Sequence, residues 1–333
     1  MKVGLYVATQ WPQGTDLGPQ VGHLLEQVRL ARRAGFKSLW AAHHYVVGPS
    51  MQMFQPAPLL ARLAGEAEGM EVGPAILLLS MMNPVMVAEE AATLDWLTGG
   101  RYVLAVGIGY RQEEFAVTGV SIKARVSRFV EAIGLMRRLW REDRVSHKGR
   151  HFQLDDVGLS VRPVRPGGIP IWIGGSAEPA VRRAGEIGDG WLMSFSPSGA
   201  DLVRLMASYK EGLAGSQRPP VQDMPLCREA YVGASHATAL DEVQAPLLYK
   251  YQAYAAWGNY GVGPHARRLA DDFSSFARDR FMIGDEAFVR DEIQRYRDQL
   301  GVNHLVLRMQ WPGMDQALVL KSIEGIGRIA ARL

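Results

Sequence analysis

Short apolar runs, separated by longer amphipathic stretches, recur along the chain. Each run is bounded by glycine or polar residues, which is typical of a parallel strand covered on both faces. The sequence predicts eight such strands, at residues 3–9, 38–42, 72–79, 102–106, 171–173, 191–193, 226–232 and 304–308.

The segments between these runs carry apolar residues at helical spacing. In the first, Leu24, Val28 and Ala31 fall on one helix face after Pro19, and Gly35 ends the pattern. A helix also follows Ser176 and runs to residue 187. Further helices are predicted at residues 59–67, 84–97, 125–140, 202–213, 286–300 and 317–333.

Two stretches interrupt the alternation. A β-hairpin is predicted near 145–155, around Lys148-Gly149. A helical insertion is predicted near 235–280, either as a lid over a site or as ordinary packing; its aromatic residues are Tyr249, Tyr251, Tyr254, Trp257 and Tyr260.

Eight strands, each followed by a helix, predict an α/β protein with a single (β/α)8 TIM barrel over residues 1–333. A doubly wound open sheet is the alternative. In a barrel every βα loop opens on the same face, so loops distant in sequence share one pocket.

Glycines mark the ends of two predicted strands. Gly107 and Gly109 follow the fourth strand and precede Tyr110, and their missing side chains would let a flat ligand approach the backbone. Gly174-Gly175-Ser176 ends the fifth strand and begins a helix. Unpaired N–H groups and the helix dipole favour a phosphate there, whereas the alternative is that Ser176 simply caps the helix.

Composition and charge narrow the class of protein. The chain has 333 residues, a net charge of +3 and basic residues in scattered pairs, so we expect no nucleic-acid partner. The single cysteine, Cys227, excludes an internal disulfide and fits a reducing cytoplasm. No apolar stretch is long enough to span a membrane. His43 and His44 are adjacent, and no acidic residue at a strand end completes a ligand set, so we predict no metal site.

Four stretches together resemble the luciferase-like flavin-dependent oxidoreductases. They are LWAAHHY, VGPAILLLSMMNP, LTGGRYVLAVGIGYRQEEFAVTG and IPIWIGGSAEPAVRRAGEIGDGWL, in order across residues 39–194. The resemblance implies a catalytic histidine over the flavin ring: luciferases align theirs with His43, and deazaflavin enzymes with His44. The cofactor-binding residues that it implies are Ala75 and Ile76, at a cis peptide, with Ser80, Asn83, Gly107, Gly109, Tyr110, Gly174, Gly175 and Ser176.

The resemblance implies a monooxygenase that uses reduced FMN and O2 to oxidise a small-molecule substrate. Because barrels often dimerise through paired helices, we also expect a homodimer. The sequence lacks a dinucleotide fingerprint, since Gln112 stands where the third glycine belongs. A separate NAD(P)H:flavin reductase is therefore expected, as in two-component systems. Alternatives are an oxidoreductase using 8-hydroxy-5-deazaflavin (coenzyme F420), a non-catalytic flavin-binding protein and a metal-dependent barrel hydrolase. Tyr110 replaces the glutamate of deazaflavin-dependent sugar-phosphate dehydrogenases, which argues against that particular activity.

Overall fold

The strands of the protein follow the predicted apolar runs closely. A computed structural model describes residues 1–218, 222–259 and 273–333. Its strands are β1 (Lys2–Val7), β2 (Gln10–Pro12), β3 (Ser38–Ala41), β4 (Met51–Met53), β5 (Glu71–Pro74), β6 (Leu77–Leu78), β7 (Leu104–Gly107), β8 (Val145–Lys148), β9 (Gln153–Val157), β10 (Ile171–Gly175), β11 (Gly190–Met193), β12 (Pro225–Val232), β13 (Phe281–Gly284) and β14 (His304–Arg308).

The helices alternate with the barrel strands and bury their apolar faces against them. In α5, for example, Phe129, Ile133 and Met136 are buried, as their helical spacing predicts. The helices are α1 (Gln20–Arg33), α2 (Pro56–Ala64), α3 (Pro84–Leu97), α4 (Gln112–Thr118), α5 (Arg125–Arg141), α6 (Glu178–Ile187), α7 (Gly199–Ala214), α8 (His236–Ala256), α9 (Phe273–Ala277), α10 (Glu286–Leu300) and α11 (Gln316–Ala330).

The central sheet is parallel and closes into a barrel. Its order is β5-β3-β1-β14-β12-β11-β10-β7-β6. The peptide bond between Ala75 and Ile76 is cis, and it separates β5 from β6 within one apolar run. Val72 also bridges Tyr102, just before β7, so the sheet returns to the strand at which it began. The TIM-barrel prediction is confirmed.

Three details differ from the sequence predictions. The third strand is not continuous over 72–79, because the run breaks at Ala75–Ile76. The insertion near 235–280 is followed at once by β13, an extra strand that pairs with β12 outside the barrel order and that the sequence analysis missed. Finally, β2 and β4 form an antiparallel pair that is absent from the predicted strands.

Other features agree with the predictions. The hairpin near 145–155 forms from β8 and β9. Aromatic side chains fill the barrel axis, where Trp40 stacks on Trp172 with ring centroids 5.0 Å apart. Among the residues described, no helix combines the length and apolar character that crossing a membrane requires. Tyr260 lies outside the described residues.

Candidate active site

A cavity of about 380 Å³ opens at the carboxyl ends of the barrel strands. This is the end at which barrels of this kind bind their ligands. Loops far apart in the chain contribute to its wall, as the barrel prediction requires. The predicted site residues that line it are His43, His44, Ala75, Ile76, Gly109, Tyr110, Gly174, Gly175 and Ser176.

Ser80, Asn83 and Gly107 are not among the residues that line this cavity. The Ser80 hydroxyl donates to the Arg125 carbonyl at 2.8 Å. Asn83 is the N-cap of α3, and its side chain accepts from the Val85 N–H at 2.9 Å. Each of these two side chains has a hydrogen bond within the protein, and their contact with a cofactor stays a prediction.

The strand-end glycines make room for the side chains of Ile76 and Met81. A Cβ atom at Gly107 would collide with the Ile76 side chain, and one at Gly174 would lie 2.8 Å from its Cγ2. Gly109 adopts a φ of +72°, which favours glycine, and a Cβ there would lie 2.5 Å from Met81. The glycines therefore let Ile76 lie across the barrel mouth as part of the cavity wall.

Both adjacent histidines line the cavity. They can do so because β3 ends at Ala41, before either histidine, so the alternation of side chains along a strand does not apply to them. His43 accepts a hydrogen bond at Nδ1 from the Leu78 N–H, at 3.1 Å. Burial, reinforced by the neighbouring His44, lowers the pKa of His43 to about 4. His43 is therefore neutral near pH 7 and presents Nε2–H as a donor.

His44 is paired with a carboxylate that the sequence analysis did not select. Its Nδ1 lies 2.9 Å from Oε1 of Glu114, which is fully buried. The same oxygen accepts from the Tyr45 N–H at 3.0 Å. Glu114 therefore holds the His44 ring with Nδ1–H toward the carboxylate, which leaves Nε2 for the cavity. The available signal was an acidic residue in the first turn of α4, directly after the glycine loop.

Arg111 lies behind the His44–Glu114 pair and contacts both the loop that carries the histidines and the carboxylate. It is 4% exposed and donates to the Tyr45 carbonyl at 2.8 Å. Its guanidinium lies 3.6 Å from Glu114 and stacks 4.5 Å from the Trp257 ring. The positive charge thus keeps a buried carboxylate compensated.

The insertion contributes aromatic residues next to the histidines. The rings of Tyr254 and Trp257 lie 5.8 and 5.5 Å from the His44 ring. Tyr249, in contrast, points away and donates to the Ser50 carbonyl at 2.7 Å. Part of the insertion therefore covers the site, whereas another part packs against the barrel.

The turn after β10 presents backbone N–H groups at the cavity rim. The N-cap of α6 is Ala177, with no side-chain cap, so the alternative role of Ser176 as the helix cap is wrong. Glu178 points away from the turn and pairs with Arg204 at 3.3 Å. The helix N-terminus is thus left without a side-chain acceptor at the cavity rim, which suits an anion.

A charged cluster closes the cavity floor. Lys250 and Arg308 line it, and Glu229 lies fully buried behind them. Glu229 forms an ion pair with Lys250 and accepts from the Tyr251 hydroxyl at 3.0 Å and the Trp311 indole at 2.5 Å. The two cations hold the pKa of Glu229 below its usual value, against its burial. Burial and the neighbouring Arg308 lower the pKa of Lys250 to about 7.

Within the described part of the chain, no group of three or more histidine, cysteine or acidic side chains is arranged to hold a metal ion. The groups that the cavity offers to a ligand are therefore two histidines, backbone N–H donors at the rim and two cationic side chains at the floor.

Comparisons with known proteins agree with this geometry. The sequence profile of the luciferase-like monooxygenase family matches residues 1–304. The F420-dependent glucose-6-phosphate dehydrogenase of Amycolatopsis mediterranei is 29% identical over 331 residues, covering 95% of this chain and 94% of that protein.

Two solved structures share the fold. The monooxygenase RslO1 from Streptomyces bottropensis has a TM-score of 0.85 and 18% identity, covering 100% of this chain and 99% of that one. The oxygenating constituent of 3,6-diketocamphane monooxygenase from Pseudomonas putida, in complex with FMN, has a TM-score of 0.82 and 19% identity, covering 100% and 98%. The chain belongs to the luciferase-like monooxygenase family, a family of oxidoreductases.

Proposed function

We propose that the protein is a coenzyme F420-dependent oxidoreductase, which transfers a hydride between the deazaflavin ring and a carbon of a small alcohol or carbonyl substrate. The observation that carries this proposal is the pairing of His44 with buried Glu114 at the wall of the cavity. An alcohol that loses a hydride must also lose a proton, and a carboxylate-oriented imidazole is suited to accept it.

The cavity residues fit a phosphorylated ring. Ser176 and the uncapped N-terminus of α6 would hold the phosphate, and Arg125 lines the same cavity, with its buried Nε lacking a hydrogen-bond partner within the described residues. Ile76 and Tyr110 would contact the ring. When bound, the deazaflavin supplies the two-electron redox chemistry that no side chain of the cavity can supply.

The two histidines have different roles in this proposal. His44 exchanges a proton with the substrate oxygen through Nε2, while Glu114 fixes its tautomer and stabilises the protonated ring. His43 stays neutral, because the Leu78 N–H occupies its Nδ1 and burial disfavours its charged form. Its Nε2–H orients a ligand oxygen without carrying charge.

The relatives favour the deazaflavin alternative over reduced FMN with O2. Several F420-dependent glucose-6-phosphate dehydrogenases match at 29–32% identity over 90% or more of this chain. We do not extend glucose 6-phosphate to this protein, because Tyr110 occupies the position of the expected acid. FMN with a separate reductase is the second candidate, supported by the FMN-bound neighbour of the same fold.

Two measurements on purified protein test the proposal. In the first, apo-protein is titrated anaerobically with F420 and with FMN, and we expect F420 to bind more tightly. In the second, reduction of bound F420 is followed by absorbance with a panel of secondary alcohols. We expect His44→Gln to slow reduction by about 10²- to 10⁴-fold, the usual contribution of a general base, without changing cofactor affinity.

A matched control is Glu89→Gln. Glu89 lies on α3 outside the cavity lining, and its side chain accepts a hydrogen bond from the Ser160 N–H. The substitution should leave both measurements unchanged. Tighter binding of FMN than of F420 refutes the cofactor assignment. Reduction by an alcohol that proceeds equally well in His44→Gln refutes the proton-transfer role, and F420 binding without any turnover across the panel would favour a non-catalytic binding protein.

A further inference from the structure

Arg308 is a buried cation at the cavity floor that the proposed chemistry does not use. It is 4% exposed and lines the cavity. Its guanidinium packs against two aromatic rings, 4.2 Å from the Tyr6 centroid and 4.6 Å from the Phe195 centroid, and these rings contact each other edge to face at 5.1 Å. The two rings restrict the guanidinium to one orientation and remove it from water.

The charge of Arg308 is only weakly compensated. Within the described residues its one ion pair is with Glu229, at 4.0 Å, which is too long for a hydrogen bond. Its buried Nε has no hydrogen-bond partner there either. Both oxygens of Glu229 are already engaged, by Lys250 and Tyr251 on one side and by Trp311 on the other.

The charges lining the cavity have one sign. Among the residues described, its charged lining side chains are Arg125, Lys250 and Arg308, with no carboxylate facing it. Glu229 pairs directly with Lys250, so Arg308 keeps only the longer, 4.0 Å interaction with that carboxylate. A buried arginine whose Nε–H has no partner within the described residues is a site that an incoming anion would complete.

We infer that Arg308 anchors a carboxylate of the substrate at the cavity floor, so that the substrate is a small hydroxy or oxo acid, or a longer acid with its reacting carbon near His44. A guanidinium presents paired N–H donors in a plane, which match the two oxygens of a carboxylate. This inference rests on the proposed function at one point: that the bound acid is a substrate. Binding of the acid at Arg308 does not depend on it.

Binding of probe molecules tests the subsite without requiring turnover. F420-saturated wild-type protein is titrated calorimetrically with hexanoate, hexanamide and hexyl phosphate. We expect hexanoate to bind at least about tenfold more tightly than hexanamide, because a charge-assisted hydrogen bond replaces a neutral one. Arg308→Met should weaken hexanoate binding by about 10- to 100-fold and leave hexanamide binding unchanged. Arg308→Lys should retain part of the affinity.

The control is Arg290→Met on α10, which removes an exposed arginine that pairs with Asp291. Equal affinity of wild-type protein for hexanoate and hexanamide overturns the inference, even if Arg308→Met fails to fold. Tighter binding of hexyl phosphate overturns the assignment to a carboxylate. Loss of F420 affinity in Arg308→Met with unchanged hexanoate binding assigns the arginine to the cofactor instead. Hexanoate binding in protein that fails to bind F420 supports the subsite and refutes the proposed function.

Discussion

A single substitution at the α6 N-terminus separates helix capping from phosphate binding. Ala177 has the extended N-cap conformation, with φ −102° and ψ 143°, but no side chain able to cap. Asp there would place a second acceptor beside the Ala180 N–H, which already donates to the Ala177 carbonyl at 2.9 Å, and Pro179 at N2 has no N–H. We therefore expect the substitution to stabilise the fold by only about 0.5 kcal/mol. The same carboxylate would stand in the proposed phosphate position.

The expected loss of phosphate affinity follows from the charges. At about 5 Å and an effective dielectric constant between 20 and 80, two like charges repel by roughly 1–3 kcal/mol. Ala177→Asp should therefore weaken F420 binding by about 5- to 150-fold while raising the urea midpoint. Ala177→Asn, a neutral cap, should raise the midpoint with a much smaller loss of affinity.

Fluorescence titration of each variant measures this effect, with a deazaflavin lacking the phosphate as the comparison ligand. The affinity for that ligand should be the same in wild-type and Ala177→Asp protein, since the added charge acts on the phosphate alone. Unchanged F420 affinity in Ala177→Asp, or an equal loss for both ligands, contradicts the placement of the phosphate at this turn.

Two further predictions concern the histidines and the glycines. Stability should fall as the pH drops from about 6.5 toward 4: burial lowers the folded-state pKa of His43 to about 4 and of His304 to about 3, so the unfolded chain takes up protons first. His43 accounts for about 3 kcal/mol of this loss of stability. His43→Asn should therefore make the urea midpoint depend less steeply on pH between pH 7 and 4, and an unchanged dependence contradicts the prediction. Gly107→Ala should displace Ile76 and lower cofactor affinity about tenfold, whereas Gly22→Ala, where a Cβ meets nothing within 4 Å, should not.

Periodicity in the sequence was sufficient to predict the barrel, because covered strands and amphipathic helices leave different patterns. The rule that all βα loops open on one face, together with the family resemblance, then selected twelve site residues, of which nine line the cavity, including His44 and Ser176. The pattern could not predict the partner of His44, since Glu114 lies 70 residues away and the two meet only through the convergence of two βα loops.

Other parts of the site depend on packing that a residue pattern does not encode. Gly107 and Gly174 lie at the barrel mouth, and the space that a side chain would take at either position is filled by Ile76. Arg308 and Glu229 belong to adjacent strands β14 and β12, distant in sequence, and their burial against Tyr6 and Phe195 follows from barrel closure. Polar residues with local partners, such as Asn83, look the same in sequence whether they cap a helix or bind a ligand.

The most direct test of the account is a crystal structure of the protein with F420 bound. We expect the phosphate to lie within hydrogen-bonding distance of the backbone at Ser176 and Ala177. We expect the ring to lie between Ile76 and His44, with its reactive face toward the histidine. A phosphate bound elsewhere, or a ring whose reactive face is turned away from His44 and Glu114, would contradict the account.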